Sequence, residues 1–152
     1  MSLALTSTAF SSGAPIPATY SCRGREISPP LAWSEPPAGT RSFALIVEDP
    51  DAPAGVWTHW IIFNIPAGTR GLSEGVPTDA RLFDGTLQGK NSSGGIGYEG
   101  PCPPSGTHRY YFRVYALDGM LGLDSGVDKR TILKAMEGHI LAQGELMGTF
   151  AK

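Results

Sequence analysis

The residues of this sequence best suited to chemistry fall in two short, proline-rich blocks. They are Asp49, Asp51 and His59 in "DPDAPAGVWTHW", and His108 and Tyr110 in "GPCPPSGTHRY". An imidazole near a carboxylate is more easily protonated, because the opposite charge favours the cation. Protonated histidine and the tyrosine hydroxyl would both donate hydrogen bonds to an anion. The two blocks therefore predict an anion pocket, with tighter binding at pH ~6 than at pH ~8.

Other interpretations of the same residues remain open. Aspartate beside proline is also typical of turns, and a histidine can simply end a strand. Two histidines and a carboxylate can hold iron or zinc, but they lack a local ligand spacing here, so we predict no metal and no cofactor. His59 or His108 could serve as a general base, yet "GLSEG" (Gly71–Gly75) resembles a nucleophile elbow without the strand and helix that such a turn needs.

Three long strands are predicted to position these residues. The apolar run Ser42–Glu48 is typical of a strand buried on both faces. Trp57–Ile65 and His108–Leu117 are the next two, and alternation along a strand assigns side chains to faces. It places Trp57, His59, Ile61 and Phe63 on one face of their strand, and His108 with Tyr110 on one face of theirs.

Weaker patterns complete the prediction. The segment "PPLAWSEPPAG" suggests a short edge strand, where proline is tolerated. Residues 67–107 have little periodicity and many glycines, which would let backbone N–H groups approach a ligand. From Asp128, a plausible N-cap, to Gly144, a plausible end, the pattern changes to a helical stripe. His139 is interpreted as a packing or boundary residue of that helix.

Composition limits the class of protein. The 152 residues are 41% hydrophobic and 17% charged, with 20 glycines and 13 prolines, which favours one mainly β domain over residues 1–152. The net charge is −2 and the cationic residues are scattered, so nucleic acid is an unexpected partner. There is no basic leader and no membrane-length apolar run, so we expect a cytoplasmic protein with Cys22 and Cys102 as thiols.

Three blocks together resemble a known family. "PATYSCRGREISPPLAWSEPPAGTRSFALIVE", "DPDAPAGVWTHWIIFNIP" and "GPCPPSGTHRYYFRVYALD" look like the phosphatidylethanolamine-binding proteins, above all their bacterial and archaeal branch, often called Raf-kinase-inhibitor-like proteins. The resemblance implies a β-sandwich with a large antiparallel central sheet, a smaller sheet and a C-terminal helix. It implies a cavity for phosphate, acetate or phospholipid head groups and no established catalysis. The ligand-binding residues that it implies are Asp49, Trp57, His59, Gly100, Pro103, His108 and Tyr110. Arg109 would lie on the opposite strand face, in a buried ion pair with Asp51.

We therefore expect a non-enzymatic binding protein for a small phosphate, carboxylate or phosphoethanolamine-type group. It would act on a protein target, as a protease or kinase inhibitor or regulator, and a homodimer is plausible. The alternative is a hydrolase or lyase with His59 or His108 as general base. The chain stops soon after its predicted helix, so we expect an open cavity that covers lipid tails poorly.

Overall fold

The computed structural model describes residues 2–152 and shows a mainly β protein built from two antiparallel sheets. Its strands are β1 (Leu5–Thr6), β2 (Leu31–Trp33), β3 (Ser42–Asp49), β4 (Trp57–Pro66), β5 (Gly71–Leu72), β6 (Leu87–Gln88), β7 (Thr107–Leu117) and β8 (Ile140–Ala151). A short 3₁₀ helix spans Ala18–Tyr20 and one α-helix, α1, spans Lys129–Met136. The mainly β architecture predicted from the sequence is thus confirmed.

The large sheet has the strand order β6-β4-β3-β7-β8, and the small sheet has the order β1-β2-β5. β3 is central and pairs with a strand on each side over most of its length, which explains its nearly continuous apolar sequence. β2 is the middle strand of the small sheet, so its prediction as an edge strand was wrong. The prolines flank "LAW" without interrupting it, so each of its backbone groups can join a ladder.

Two apolar clusters lie on opposite faces of the large sheet. One fills the space between the sheets and includes Trp33 from the small sheet with Phe43 and Phe112 from the large one. The other packs the far face of the large sheet against α1, where Ile132 and Met136 are fully buried. Burial on both faces makes the large sheet a rigid base for the residues at its strand ends.

The C-terminal segment differs from the prediction. α1 begins at the predicted cap, where the Asp128 side chain accepts a hydrogen bond from the Thr131 N–H, but it ends at Met136. Gly138 then turns the chain with φ +78°, and β8 pairs along the whole length of β7. The prediction that the helix extends to Gly144 was wrong, because eleven residue pairs with β7 outweigh a weak local helical pattern.

Gly144 has a different role from the predicted helix end. It lies within β8, where a Cβ atom would stand 2.3 Å from the Leu3 carbonyl oxygen, so only glycine fits. His139 lies at the boundary between α1 and β8, where its exposed ring is 2.8 Å from Asp118 Oδ1.

The two cysteines also differ from the prediction. Cys22 and Cys102 form a disulfide across 80 residues of sequence, with their Cα atoms 5.5 Å apart. The expectation of two thiols was wrong because sequence separation says nothing about distance in the fold. No helix in residues 2–152 has the length and apolarity of a membrane span.

Candidate functional site

Strand order brings the two proline-rich blocks together. β3 lies between β4 and β7 and runs antiparallel to both, so its end lies beside the start of each neighbour. Asp49 ends β3, Trp57 and His59 begin β4, and His108 and Tyr110 begin β7. The polar residues therefore converge at one end of the large sheet, as the sequence predicted.

A β-bulge at His59 sets which side chains face the site. Val47 pairs with Trp60 and Glu48 pairs with Thr58, so His59 is the extra residue. Because of this insertion, His59 faces the cavity while Trp60, its neighbour, joins the cluster between the sheets.

Strict alternation would have placed His59 with Ile61 and Phe63. Those two side chains instead pack towards α1, on the opposite face of the sheet. That part of the face prediction was wrong, because the bulge shifts the alternation by one residue.

The first polar unit of the site is a buried pair, His108 and Asp49. The His108 Nδ1 atom lies 2.6 Å from Asp49 Oδ2, and the two residues are only 7% and 3% exposed. The other carboxylate oxygen, Oδ1, accepts a hydrogen bond of 2.7 Å from the Asp51 N–H. The carboxylate thus orients the imidazole, because it can only accept, and Nδ1 must carry a proton.

The second unit is His59. Its Nδ1 atom lies 2.7 Å from the Glu99 carbonyl oxygen, so Nδ1 carries a proton and donates. Burial lowers the pKa of His59 below its usual 6.5, since the surroundings disfavour the charged ring. His59 is therefore neutral at pH 7, and its Nε2 atom is a hydrogen-bond acceptor. A neutral His59 would accept rather than donate, whereas the sequence prediction named protonated histidine as a donor to the anion.

The third unit is the Tyr110 hydroxyl. Tyr110 is 1% exposed, and its oxygen has no hydrogen-bond partner among residues 2–152. The ring meets His59 edge-on with centroids 5.2 Å apart and stacks near His108 at 6.5 Å. Burial raises the pKa of Tyr110, so the hydroxyl keeps its proton and can donate. A buried polar atom without a partner is uncommon, and Tyr110 is one of the residues that line a cavity.

These units line a cavity of about 530 Å³. Of the seven residues predicted from the family resemblance, six line it: Asp49, Trp57, His59, Gly100, His108 and Tyr110. Pro103 does not line it; Pro103 is buried, and the neighbouring Pro104 lies in the wall.

The wall also contains residues outside the seven predicted ones, namely Cys22, Glu26, Ala52, Pro53, Glu99, Cys102 and Pro104. Glu99 directly precedes the second block, which begins at Gly100, and this position was the signal for it. Cys22 and Glu26 carried no such signal, because they come from a segment remote in sequence.

The wall is more acidic than an anion pocket would suggest. Asp49, Glu26 and Glu99 all line the cavity. Glu99 Oε1 accepts a hydrogen bond of 2.8 Å from the Trp57 indole N–H, and its other oxygen accepts from Ser93. Within residues 2–152, no group of three or more potential ligands could hold a metal ion.

Asp51 and Arg109 form an ion pair beside the cavity. The guanidinium donates from Nη2 to Oδ1 at 2.8 Å and from Nε to Oδ2 at 2.9 Å. The pairing matches the expectation, but the burial does not, because the Arg109 side chain is 50% exposed. The hydrogen bonds from Arg109 lower the pKa of Asp51 to about 2.

The fold and the site together define a class of protein: a β-sandwich with a cavity at the end of its large sheet. The family model for phosphatidylethanolamine-binding protein matches residues 6–151. The chain belongs to the phosphatidylethanolamine-binding protein family.

Similar proteins come from archaea and bacteria. A protein named UPF0098 from Methanothermobacter thermautotrophicus is 53% identical over 148 residues, which cover 97% of this chain and 98% of the relative. A UPF0098 protein from Chlamydia muridarum is 54% identical over 151 residues, covering 96% of this chain and 97% of the relative.

Two solved structures share the fold. The crystal structure of CT736 from Chlamydia trachomatis, described as a homologue of phosphatidylethanolamine-binding protein, superposes with a TM-score of 0.92. It is 49% identical and covers 99% of this chain and 98% of its own. YbcL from E. coli, described as a member of the mammalian family, has a TM-score of 0.88 at 32% identity, covering 100% and 99%.

Proposed function

We propose that this protein is a non-enzymatic binding protein whose cavity takes a small head group that carries phosphate or carboxylate. The ligand-binding residues in this proposal are the six predicted residues that line the cavity: Asp49, Trp57, His59, Gly100, His108 and Tyr110. The observation that carries the proposal is the Tyr110 hydroxyl, buried in the cavity wall without a protein partner. An oxygen of the ligand would accept its hydrogen bond.

The balance of donors and acceptors favours a zwitterionic ligand over a simple anion. The Tyr110 hydroxyl supplies a donor on one part of the wall, whereas the Nδ1 proton of His108 is already bonded to Asp49. The neutral Nε2 atom of His59 and the carboxylates of Glu26 and Glu99 supply acceptors. A phosphoethanolamine-type group satisfies both sets, because its phosphate accepts and its ammonium donates.

The test is a titration of phosphoethanolamine and of inorganic phosphate, followed by backbone NMR shifts. In Tyr110→Phe the affinity should fall about tenfold or more, because a hydrogen bond to a charged group is lost. Tyr111→Phe is the matched control: the same atom is removed one residue away, where the hydroxyl accepts from Arg109 at 3.3 Å and does not line the cavity. Equal affinities in wild type and Tyr110→Phe would refute the proposal.

A second candidate function is a hydrolase or lyase with His59 as general base. The observation that favours it is the neutral ring of His59, held by the Glu99 carbonyl with Nε2 in the acceptor state. Turnover of a phosphomonoester or ester that is abolished in His59→Ala would support it. Binding without turnover in wild type would leave the first proposal.

The proposal extends to a protein target and to a homodimer. Phe83 is fully exposed at the turn before β6, and Met120 and Val56 are 60% and 52% exposed. Exposed apolar surface marks a contact site where it is contiguous, and Phe83 is the most exposed of these side chains. A target protease or kinase would be inhibited by surface contact, and the inhibition should weaken in Phe83→Ser. Sedimentation of wild type and of Phe83→Ser tests the homodimer, which should likewise be weaker in the variant.

A cytoplasmic location stays a prediction, and the disulfide counts against it, because disulfides persist mainly in oxidising compartments. Thiol trapping of the protein in intact cells would decide between the bonded and the reduced state.

A further inference from the structure

A segment remote from both proline-rich blocks closes one side of the cavity. Residues 21–26 lie against the loop that contains Gly100. The Cys22 N–H donates to the Pro101 carbonyl at 3.1 Å, and the disulfide joins Cys22 to Cys102. These contacts hold Glu26, at the end of the segment, in the cavity wall.

Glu26 contacts a group that an anion would otherwise use. Its Oε2 atom accepts a hydrogen bond of 3.2 Å from the Gly100 N–H. The sequence predicted that glycine N–H groups in this region would donate to the ligand. In the structure, a carboxylate of the protein itself occupies that donor.

The backbone conformation of Glu26 and the close packing at Gly100 both favour this contact. Glu26 has φ +55°, a left-handed conformation that is uncommon for residues other than glycine and asparagine. Gly100 tolerates no side chain, because a Cβ atom would stand 2.4 Å from the Tyr20 carbonyl oxygen and 3.0 Å from Glu26 Cγ. The close packing presents the Gly100 N–H directly to the carboxylate.

The same cavity offers a donor with no protein partner. The Tyr110 hydroxyl is buried and unpaired among residues 2–152. The cavity wall therefore contains a side-chain donor without a protein partner, the Tyr110 hydroxyl, and an occupied backbone donor, the Gly100 N–H. A ligand oxygen that reached Gly100 would have to displace Glu26, and any anion would be repelled by it.

We propose that Glu26 is an internal competitor for the ligand's anion, which occupies the Gly100 N–H and selects against small ligands that carry only negative charge. This inference rests on the proposed function of the cavity. A ligand with a cationic group escapes the selection, because its ammonium can pair with the Glu26 carboxylate once that carboxylate leaves Gly100.

Two variants separate the effect of the Glu26 charge from the effect of its hydrogen bond to the Gly100 N–H. Glu26→Gln removes the charge but keeps an oxygen that can accept from Gly100. Glu26→Gly removes both, and glycine adopts φ +55° without strain. Glu35→Gln is the control, because it makes the same change of net charge at an exposed surface pair with Arg70.

The experiment measures the affinity of wild type and variants for inorganic phosphate and for phosphoethanolamine by NMR titration. Phosphate should bind about tenfold more tightly to Glu26→Gly than to wild type, since a repulsive charge is lost and a donor is freed. Glu26→Gln should lie between them, and Glu35→Gln should match wild type. The preference for phosphoethanolamine over phosphate should shrink in both Glu26 variants.

The outcomes distinguish the two proposals. If Tyr110→Phe weakens phosphate binding while Glu26→Gly and Glu26→Gln bind it as wild type does, the role of Glu26 is overturned and the binding function stands. If neither ligand shifts any cavity resonance in wild type or variants, the binding function itself fails. Tighter phosphate binding in Glu35→Gln as well would also overturn the proposal, because the effect would then be one of net charge.

Discussion

Reducing or removing the Cys22–Cys102 disulfide should lower the stability of this protein substantially. The bond closes a loop with a sequence separation of 80, and both cysteines lie at an exposed rim where a reductant can reach them. Without the bond the unfolded chain has more accessible conformations. In the folded state, the hydrogen bond from the Cys22 N–H to the Pro101 carbonyl still joins the two segments. The effect therefore acts chiefly through the unfolded state.

The magnitude follows from the loop length. A cross-link over 80 residues removes chain entropy worth about 4.5 kcal/mol at 25 °C. A chain of 152 residues has an unfolding entropy of roughly 0.32 kcal/mol per degree near its melting temperature. Loss of the bond should therefore lower Tm by about 14 °C.

The assay is thermal unfolding followed by circular dichroism, with and without a phosphine reductant. The double variant Cys22→Ser, Cys102→Ser should melt where the reduced wild type melts, and the reductant should not move it further. Each single variant should match the double variant, because either change removes the same bond. A Tm within about 3 °C of the oxidised wild type would refute the entropic reasoning.

Two further predictions concern single side chains. Tyr110→Phe should leave the free energy of unfolding of the ligand-free protein unchanged or raise it, whereas Tyr98→Phe should lower it by about 1–2 kcal/mol, because the buried Tyr98 hydroxyl donates to the Tyr20 carbonyl at 2.7 Å. Chemical denaturation of both variants tests this, and equal losses would contradict it. The pKa of Asp51 is lowered to about 2 in the folded state, so its contribution is present at neutral pH and is lost as the pH falls from 3.8 through 2. In Asp51→Asn, the urea midpoint of unfolding should fall less steeply with pH over that range than in wild type. The difference should be smaller at 1 M salt, because Arg109 is exposed. The same pH dependence of the midpoint in both proteins would count against the ion pair.

The sequence predicted β3, β4 and β7 well, because their signals are local. Ser42–Asp49 is a continuous apolar run, and Thr107–Leu117 alternates along its length. Adjacent antiparallel strands then bring His59 and His108 together without further information. Six of the seven site residues implied by the family resemblance line the cavity, and all of these except Gly100 lie at the ends of β3, β4 and β7.

Features that depend on long-range pairing were not predictable in this way. β8 carries a sequence with some helical periodicity, and only its pairing with β7 decides its structure. The bulge at His59 depends on register with β3, so alternation alone misplaced Ile61 and Phe63. The contact of Glu26 with Gly100 joins residues 74 positions apart and left no pattern in the sequence.

The wall of the cavity is assembled from chain segments that meet only in the native fold, from Cys22 to Tyr110. Any compound that fills the cavity consequently binds the folded chain alone and shifts the folding equilibrium by mass action. At a hundredfold excess over Kd, that shift is about 2.7 kcal/mol, or about 8 °C in Tm for a chain of 152 residues. A rise in Tm therefore reports that the cavity is filled. Thermal unfolding of the protein with each member of a metabolite library can identify the ligand without a label or a known partner.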